Sequence, residues 1–131
     1  MLDYPERTKS YFICGTPDAG ESERWQERLN AAGIRFKLVQ GCYKGTPEHS
    51  FVISLDAFTA TRETGILAGQ ESVLVIGPKP FNGDRPATLR FLDASVPPID
   101  LGTFQVWEGD GVPPVDAWTY DPLSETYFIC A

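Results

Sequence analysis

The chain has 131 residues and a formal net charge of −7, and no apolar run approaches the roughly 20 residues that span a bilayer. This length suits one hydrophobic core, so we expect residues 1–131 to form a single domain. Phosphate-backbone binding needs clustered Lys and Arg, and the polar first ten residues do not resemble a signal peptide. We therefore expect a cytoplasmic protein that binds neither nucleic acid nor membrane.

Cysteine and histidine usage argues against metal chemistry. Cys14, Cys42 and Cys130 form no C-x-x-C pair, and their odd number suits a reducing compartment. They are most simply structural thiols. His49 is the only histidine, so a His-based triad or zinc site is poorly supported, and a place on a strand surface is the simpler interpretation. The sequence predicts no metal and no cofactor.

The first predicted elements are a strand and a helix. Tyr11–Cys14 is apolar and aromatic and is followed by a Gly-Thr-Pro stop, as expected for a buried strand. Asp18 can cap a helix that reaches Ala32, with Glu21 three residues after the cap and Gly33 as the C-terminal stop. Trp25 lies on the apolar face of this helix and is most simply a core residue.

The next pattern predicts two paired strands, a helix and a strand. Ile34–Val39 alternates apolar and charged residues, and His49–Leu55 is rich in β-forming residues. Gly41–Pro47 lies between them and is predicted to be a loop too long for a tight hairpin turn. Asp56 can cap a helix to Ala68, and Ser72–Ile76 is typical of a buried strand.

This order predicts an α+β fold, a ferredoxin-like or GlnB-like β-α-β-β-α-β sandwich with additional C-terminal strands. Right-handed crossovers would place both helices on one face of a four-stranded antiparallel sheet. The other face needs a cover. Further strands at Ala87–Leu92, Leu101–Trp107 and Thr126–Cys130, or other subunits, would supply it.

Two carboxylates and one aromatic residue stand out as candidate site residues. Glu48 and Glu71 are predicted near strand starts, where they could flank a cleft. From spacing alone, ordinary solvated loop acids are the simpler interpretation of both. Tyr43 either covers the edge of the core or packs against a ligand while its hydroxyl forms a hydrogen bond.

Four short segments stand out by their order and spacing. They are Gly41-Cys42-Tyr43, Glu48-x-x-Phe51-Val52-Ile53, Gln70-Glu71-Ser72-Val73-Leu74-Val75 and Leu101-Gly102-Thr103-Phe104-Gln105. Through these segments the chain resembles, over about residues 39–105, the bacteriophage enzymes that degrade S-adenosylmethionine (SAM), the SAMases, formerly called hydrolases and now understood as SAM lyases. The Glu48-x-Ser50-Phe51 strand entry also belongs to a second resemblance, to a small bacterial domain family of unknown function.

The SAMase resemblance implies a trimer of GlnB-like sandwiches that binds SAM between subunits. It implies cleavage to 5′-methylthioadenosine and L-homoserine lactone, without a cofactor, as a phage defence against SAM-dependent restriction and modification. By the same resemblance, Glu48 and Tyr43 are the catalytic residues: Glu48 orients the substrate ammonium, and Tyr43 walls the methionine portion. Gln70 and Glu71 bind the nucleoside.

Two other kinds of function fit the same pattern. A non-catalytic GlnB-like module would bind a nucleotide-like ligand or inhibit a host protein at clefts between subunits. A purely structural domain would use exposed aromatic residues to form an oligomer. Incubation with SAM distinguishes the enzyme from both alternatives.

Overall fold

A computed structural model describes Leu2 and residues 4–131 of the chain. Antiparallel strands dominate this part, and two helices follow the first and third strands. The elements in chain order are β1 (Tyr11–Thr16), α1 (Ala19–Ala31), β2 (Phe36–Tyr43), β3 (Thr46–Ser54), a 3₁₀ turn (Leu55–Ala57), α2 (Phe58–Glu63), β4 (Ser72–Ile76), β5 (Arg85–Phe91), β6 (Ile99–Val106), β7 (Trp118–Asp121) and β8 (Thr126–Cys130).

The strands form a closed antiparallel barrel in the order β1-β3-β2-β7-β8-β6-β5-β4, with β4 pairing back to β1. The predicted ferredoxin-like or GlnB-like sandwich is therefore wrong. The elements through β4 do follow the order β-α-β-β-α-β. The later strands, however, join the same sheet and close it, because β7 pairs with β2 and β5 pairs with β4. The sheet face that was predicted to need a cover is the interior of the barrel.

Two hydrophobic clusters occupy the two sides of the barrel wall. Successive strand residues point to opposite faces, so Phe12 and Phe51 face outward while Ile13 and Val52 face inward. The outer cluster lies under both helices and the segment after α2, which contributes Ile66. The inner cluster fills the barrel with residues from β1 through β8. The helices thus pack on one side of the wall, as the sequence predicts.

The first helix follows its predicted caps. Asp18 Oδ1 accepts a hydrogen bond from Glu21 N at 3.0 Å, which satisfies one of the free N–H groups of the first turn. Gly33, with φ of +71°, ends the helix, and Ile34 N donates to Leu29 O at 2.9 Å. Trp25 is buried and packs against Phe51 with ring centroids 5.6 Å apart.

The second helix is shorter than the predicted span from Asp56 to Ala68. Only Phe58–Glu63 is α-helical. Thr64 Oγ1 donates to Thr61 O at 2.6 Å, and Gly65 has φ of +84°, so the chain turns here. Asp56 accepts from Ser54 Oγ at 2.7 Å and does not cap α2.

The predicted loop Gly41–Pro47 is instead a tight hairpin. Strand β2 extends to Tyr43 and β3 starts at Thr46, which leaves a two-residue turn. Lys44 and Gly45 have φ of +50° and +80°, as a type I′ turn requires. The prediction was wrong because it counted glycines and prolines as loop residues, whereas Gly41 and Pro47 lie within strands. This hairpin carries Tyr43 and Glu48.

One end of the barrel is closed by buried polar groups. The Arg85 guanidinium is buried and donates to the carbonyl oxygens of Lys9 and Gly77 at 2.8 and 3.0 Å, and also to the carbonyl of Glu6. Nearby, Lys37 Nζ on β2 forms a 2.7 Å ion pair with Asp121 Oδ2 on β7. These contacts hold the segment before β1 and the β2–β7 seam in place. No helix in the described part of the chain is long and apolar enough to cross a membrane.

Candidate functional site

A cavity of about 410 Å³ lies at the other end of the barrel. This volume falls within the range of small-molecule sites, and an eight-stranded barrel has an interior wide enough for one small ligand. Inner-cluster residues form its apolar depth, and polar residues from the β2–β3 hairpin and the entry to β4 form its rim. Its apolar lining includes Ile13, Leu74, Leu89, Leu101, Phe104 and Phe128.

The cavity exists because inward positions near this end carry small side chains. Gly15 pairs with Ser50 across β1 and β3, and Gly41 pairs with Glu48 across β2 and β3. By alternation along the strands, these residues share the inward face with Ile13, which lies deeper in the barrel. Larger residues would fill the space, as they do toward the closed end.

Glu48 is a half-buried carboxylate on the inward face of β3. Among the described residues, no group forms a hydrogen bond or an ion pair with its side chain, and burial raises its pKa. A charged group loses hydration when buried and regains it only through a partner. Glu48 is therefore a charge that the protein places in the cavity without compensating it.

The other three predicted site residues also line this cavity: Tyr43 at the end of β2, and Gln70 and Glu71 just before β4. Tyr43 is 38% exposed at the rim, with Lys44 Nζ 5.3 Å from its ring centroid. Glu71 is exposed, and its carbonyl accepts from Leu92 N at 3.1 Å, which fixes the backbone at the entry to β4. The fold brings together four residues that are up to 28 positions apart in the sequence.

The charge of the lining is one-sided. Glu48 and Glu71 are the acids, and the described lining residues include no Lys, Arg or His. An acidic, partly apolar cavity attracts a cation that also carries apolar groups. Within Leu2 and residues 4–131, no three His, Cys, Asp or Glu side chains are grouped as metal ligands would be.

The cysteines and the histidine have the environments that the sequence suggests. Cys14 is buried beneath the helices, and burial raises its pKa to about 12, which keeps the thiol protonated and unreactive. Burial also raises the pKa of Cys130. His49 is exposed on β3, on the face opposite the cavity.

Sequence reasoning missed several residues of the cavity. Ser50, Ser72, Trp118 and Thr119 line it. The alternation along β3 was a usable signal for Ser50, because it puts a small hydroxyl residue on the same face as Val52. Trp118 and Thr119 belong to β7, a strand that no predicted element included.

The barrel and its end cavity are typical of a protein that binds a small molecule, and the acidic lining favours a cation. No curated protein matches the chain closely enough to serve as a relative. The model of the S-adenosylmethionine lyase family matches residues 18–131, which include every strand except β1 and the four predicted site residues Tyr43, Glu48, Gln70 and Glu71. The chain belongs to the S-adenosylmethionine lyase family, and it is an enzyme that cleaves SAM.

Proposed function

We propose that this enzyme converts SAM to 5′-methylthioadenosine and L-homoserine lactone in the barrel-end cavity. The observation that carries the proposal is the cavity lined by Glu48 and Glu71 without a basic residue. SAM presents a sulfonium and an ammonium group, both positive, and an apolar purine. Its charges and its apolar ring correspond to the acidic rim and the apolar depth.

The proposed reaction is internal to the substrate. A carboxylate oxygen of SAM attacks the methylene carbon next to sulfur, the C–S bond breaks, and sulfur keeps the electron pair. The products are the neutral thioether and the lactone, and no proton has to move at the reacting atoms. Because nucleophile and leaving group belong to one molecule, the enzyme mainly has to hold a folded substrate conformation. Opposite charges cancel as the bond forms, so a site drier than water favours the step.

The residue roles follow from charge and position. We assign to Glu48 the pairing with the substrate ammonium, because its carboxylate has no partner within the described chain. Tyr43 would pack against the methionine portion of SAM at the rim. Gln70 and Glu71 would bind the nucleoside, whose ribose hydroxyls can donate to a carboxylate.

We also propose that residues 1–131 act as one lyase domain, because a single barrel contains all strands from β1 to β8. The site of action would be the cytoplasm of a phage-infected host. Removal of the methyl donor there would reduce SAM-dependent restriction and modification by the host.

The proposed assembly is a homotrimer with sites near the subunit interfaces. Its support is the outer barrel face that the helices leave uncovered. On that face Trp118 and Tyr127 pack edge to face with centroids 5.2 Å apart, and Tyr120 lies 4.5 Å from Tyr127. Leu38 on neighbouring β2 is 41% exposed. Trp118, Tyr120 and Tyr127 are partly exposed, and aromatic residues at the surface are enriched at protein interfaces.

Incubation of the purified protein with SAM in the presence of EDTA tests the chemistry. We expect methylthioadenosine and homoserine lactone in equal amounts, with no loss of rate on EDTA treatment. In H₂¹⁸O, the lactone trapped before it opens should contain no solvent oxygen. Homoserine that acquires ¹⁸O in the enzymatic step would show hydrolysis instead and would contradict the proposal.

A further inference from the structure

A patch of small residues lines one side of the cavity, next to Glu48. Gly15, Gly41 and Ser50 belong to three adjacent strands, and Thr119 pairs with Gly41 from the far side of β2. Ser50 and Thr119 are buried. The patch adjoins Glu48, which pairs with Gly41, and it adjoins Ile13, which lies deeper on β1.

Glycine at two of these positions leaves room for the Ser50 side chain. An ideal Cβ at Gly41 would lie 2.4 Å from Ser50 Oγ, and one at Gly15 would lie 2.9 Å from the same atom and 3.1 Å from His49 O. Each distance is shorter than normal contact. A methyl group at either position would therefore push the Ser50 side chain into the cavity and narrow the passage to the apolar depth.

Ser50 offers a hydroxyl group at this passage. It is 5% exposed as a whole residue and lines the cavity. A hydroxyl that forms a hydrogen bond with a ligand discriminates against ligands that lack the matching atom. The edge of an adenine ring carries both acceptor nitrogens and an amino donor, so either role of the hydroxyl can be satisfied.

Polarity changes along the cavity in a way that orients the substrate. The charged amino-acid and sulfonium groups of SAM suit the rim beside Glu48, and the ribose suits the rim beside Gln70 and Glu71. The apolar depth, lined by Ile13, Leu74 and Phe104, suits a flat aromatic group. We propose that the adenine ring of SAM enters the barrel past this patch of small residues, and that Ser50 is a specificity residue whose hydroxyl forms a hydrogen bond with the purine edge. This inference rests on the proposed function and adds the orientation of the substrate.

Two partial substrates separate the ends of the site. 5′-Methylthioadenosine has the purine and no sulfonium, whereas S-methylmethionine has the sulfonium and amino acid but no purine. Isothermal titration would measure the Kd of each probe for the full-length protein. For Gly41→Ala we expect about a tenfold or greater loss of methylthioadenosine affinity, because added volume is poorly tolerated in a close-packed site. For Ser50→Ala we expect a loss of about three- to tenfold. S-Methylmethionine affinity should change less than about twofold in both variants.

Gly77→Ala is the matched control, because its added Cβ would lie 2.6 Å from Pro86 Cγ, outside the cavity. It should leave both affinities unchanged. Two results for the variants would overturn the inference. One is an equal loss of affinity for the two probes in Gly41→Ala and Ser50→Ala, and the other is an unchanged affinity for methylthioadenosine in both variants. A wild-type protein that cleaves SAM but does not bind methylthioadenosine would overturn it as well. Should Gly41→Ala fail to fold, Ser50→Ala decides alone. Absence of SAM cleavage by the wild type would instead refute the proposed function.

Discussion

Glu48 is placed by the alternation of β3, which puts it on the inward face with Ser50 and Val52. The deeper two residues are covered, and Glu48 is only half-buried at the rim. An unpartnered carboxylate in such a position does not improve packing. Groups that are kept despite a cost in stability are concentrated at functional sites. Glu48 is therefore the first residue to change in an activity test.

Replacing Glu48 by Gln retains the size of the side chain and removes its charge. If the carboxylate pairs with the substrate ammonium in a partly dry site, the loss should weaken the transition state by about 1.5–3 kcal/mol. We expect kcat/KM for SAM to fall by about one to two decades. The control is Glu63→Gln, which changes an exposed acid at the end of α2. If Glu48→Gln retains full SAM turnover while the wild type is active, the assignment of Glu48 to substrate binding is wrong.

The same variant should affect stability in the opposite direction. Burial raises the pKa of Glu48 in the folded protein above its usual value of 4.5. The folded state then binds the proton more tightly than the unfolded chain, so the carboxyl group contributes stability at low pH that is lost as pH rises through the folded pKa. We expect Glu48→Gln to have a higher Tm than the wild type at pH 7, and the difference to shrink toward pH 4. Circular dichroism melting at both pH values measures this. A variant less stable than the wild type at pH 7 would contradict the burial argument.

Much of the rim could be predicted from the sequence, but the depth of the cavity could not. The order of the elements placed Glu48 and Glu71 near strand starts, where they could flank a cleft, whereas the family resemblance added Tyr43 and Gln70 to the site. Ser50 and Thr119 line the cavity only because the barrel closes. Closure depends on pairings such as Gly41 with Thr119, which are 78 positions apart and leave no local signal.

At the scale of elements, local signals decided which predictions succeeded. Helix α1 has a side-chain cap, an apolar face and a glycine stop, and its bounds were predicted closely. Helix α2 has several Thr residues and no side-chain cap, so its predicted length was wrong. Strand β7 has four residues and was missed, because Trp118–Asp121 is too short to show a period. That strand is nevertheless the one that joins β2 to β8.

The ion pair between Lys37 and Asp121 supports this β2–β7 seam. Both side chains are largely buried, at 12% and 7% exposure. Burial alone raises the pKa of Asp121, but the hydrogen bonds from Lys37 and Leu123, with the Lys37 charge, lower it overall. Because the folded pKa is depressed, the stabilising contribution is present above the usual value of 3.8 and is lost as pH falls through the folded pKa.

We expect Asp121→Ala to lower the free energy of unfolding by about 3 kcal/mol, since it leaves the Lys37 charge buried without a partner. Urea denaturation at neutral pH measures the change. Asp110→Ala, in the exposed loop before β7, is the control and should shift stability by less than about 0.5 kcal/mol. Adding Lys37→Met to Asp121→Ala should restore part of the loss. A loss as small as that of the control would mean that the ion pair does not stabilise the seam.

At the scale of the whole molecule, closure of the sheet into a barrel changes which surface an oligomer would bury. An open sandwich would need other subunits to cover its second face. The barrel covers that face itself, with Tyr11, Val52 and Phe104 in its interior. A trimer is therefore not needed to complete the core. It would instead cover the outer wall of the barrel, where aromatic side chains remain partly exposed beside the rim of the cavity.

Tyr120→Glu tests whether this aromatic outer wall forms the trimer interface, because the substitution places a charge among the aromatic residues of β7 and β8. Light scattering after size exclusion, at micromolar concentration, should show three times the subunit mass for the wild type and a smaller species for the variant. Burying an unpaired charge in an interface is costly, so dissociation should be extensive. The matched control is Thr59→Glu, which adds the same charge at an exposed position on α2. SAM turnover should fall with the trimer if neighbouring subunits cover the cavity rim near Tyr43. A wild-type protein that is monomeric and fully active would refute both the trimer and its role in completing the site.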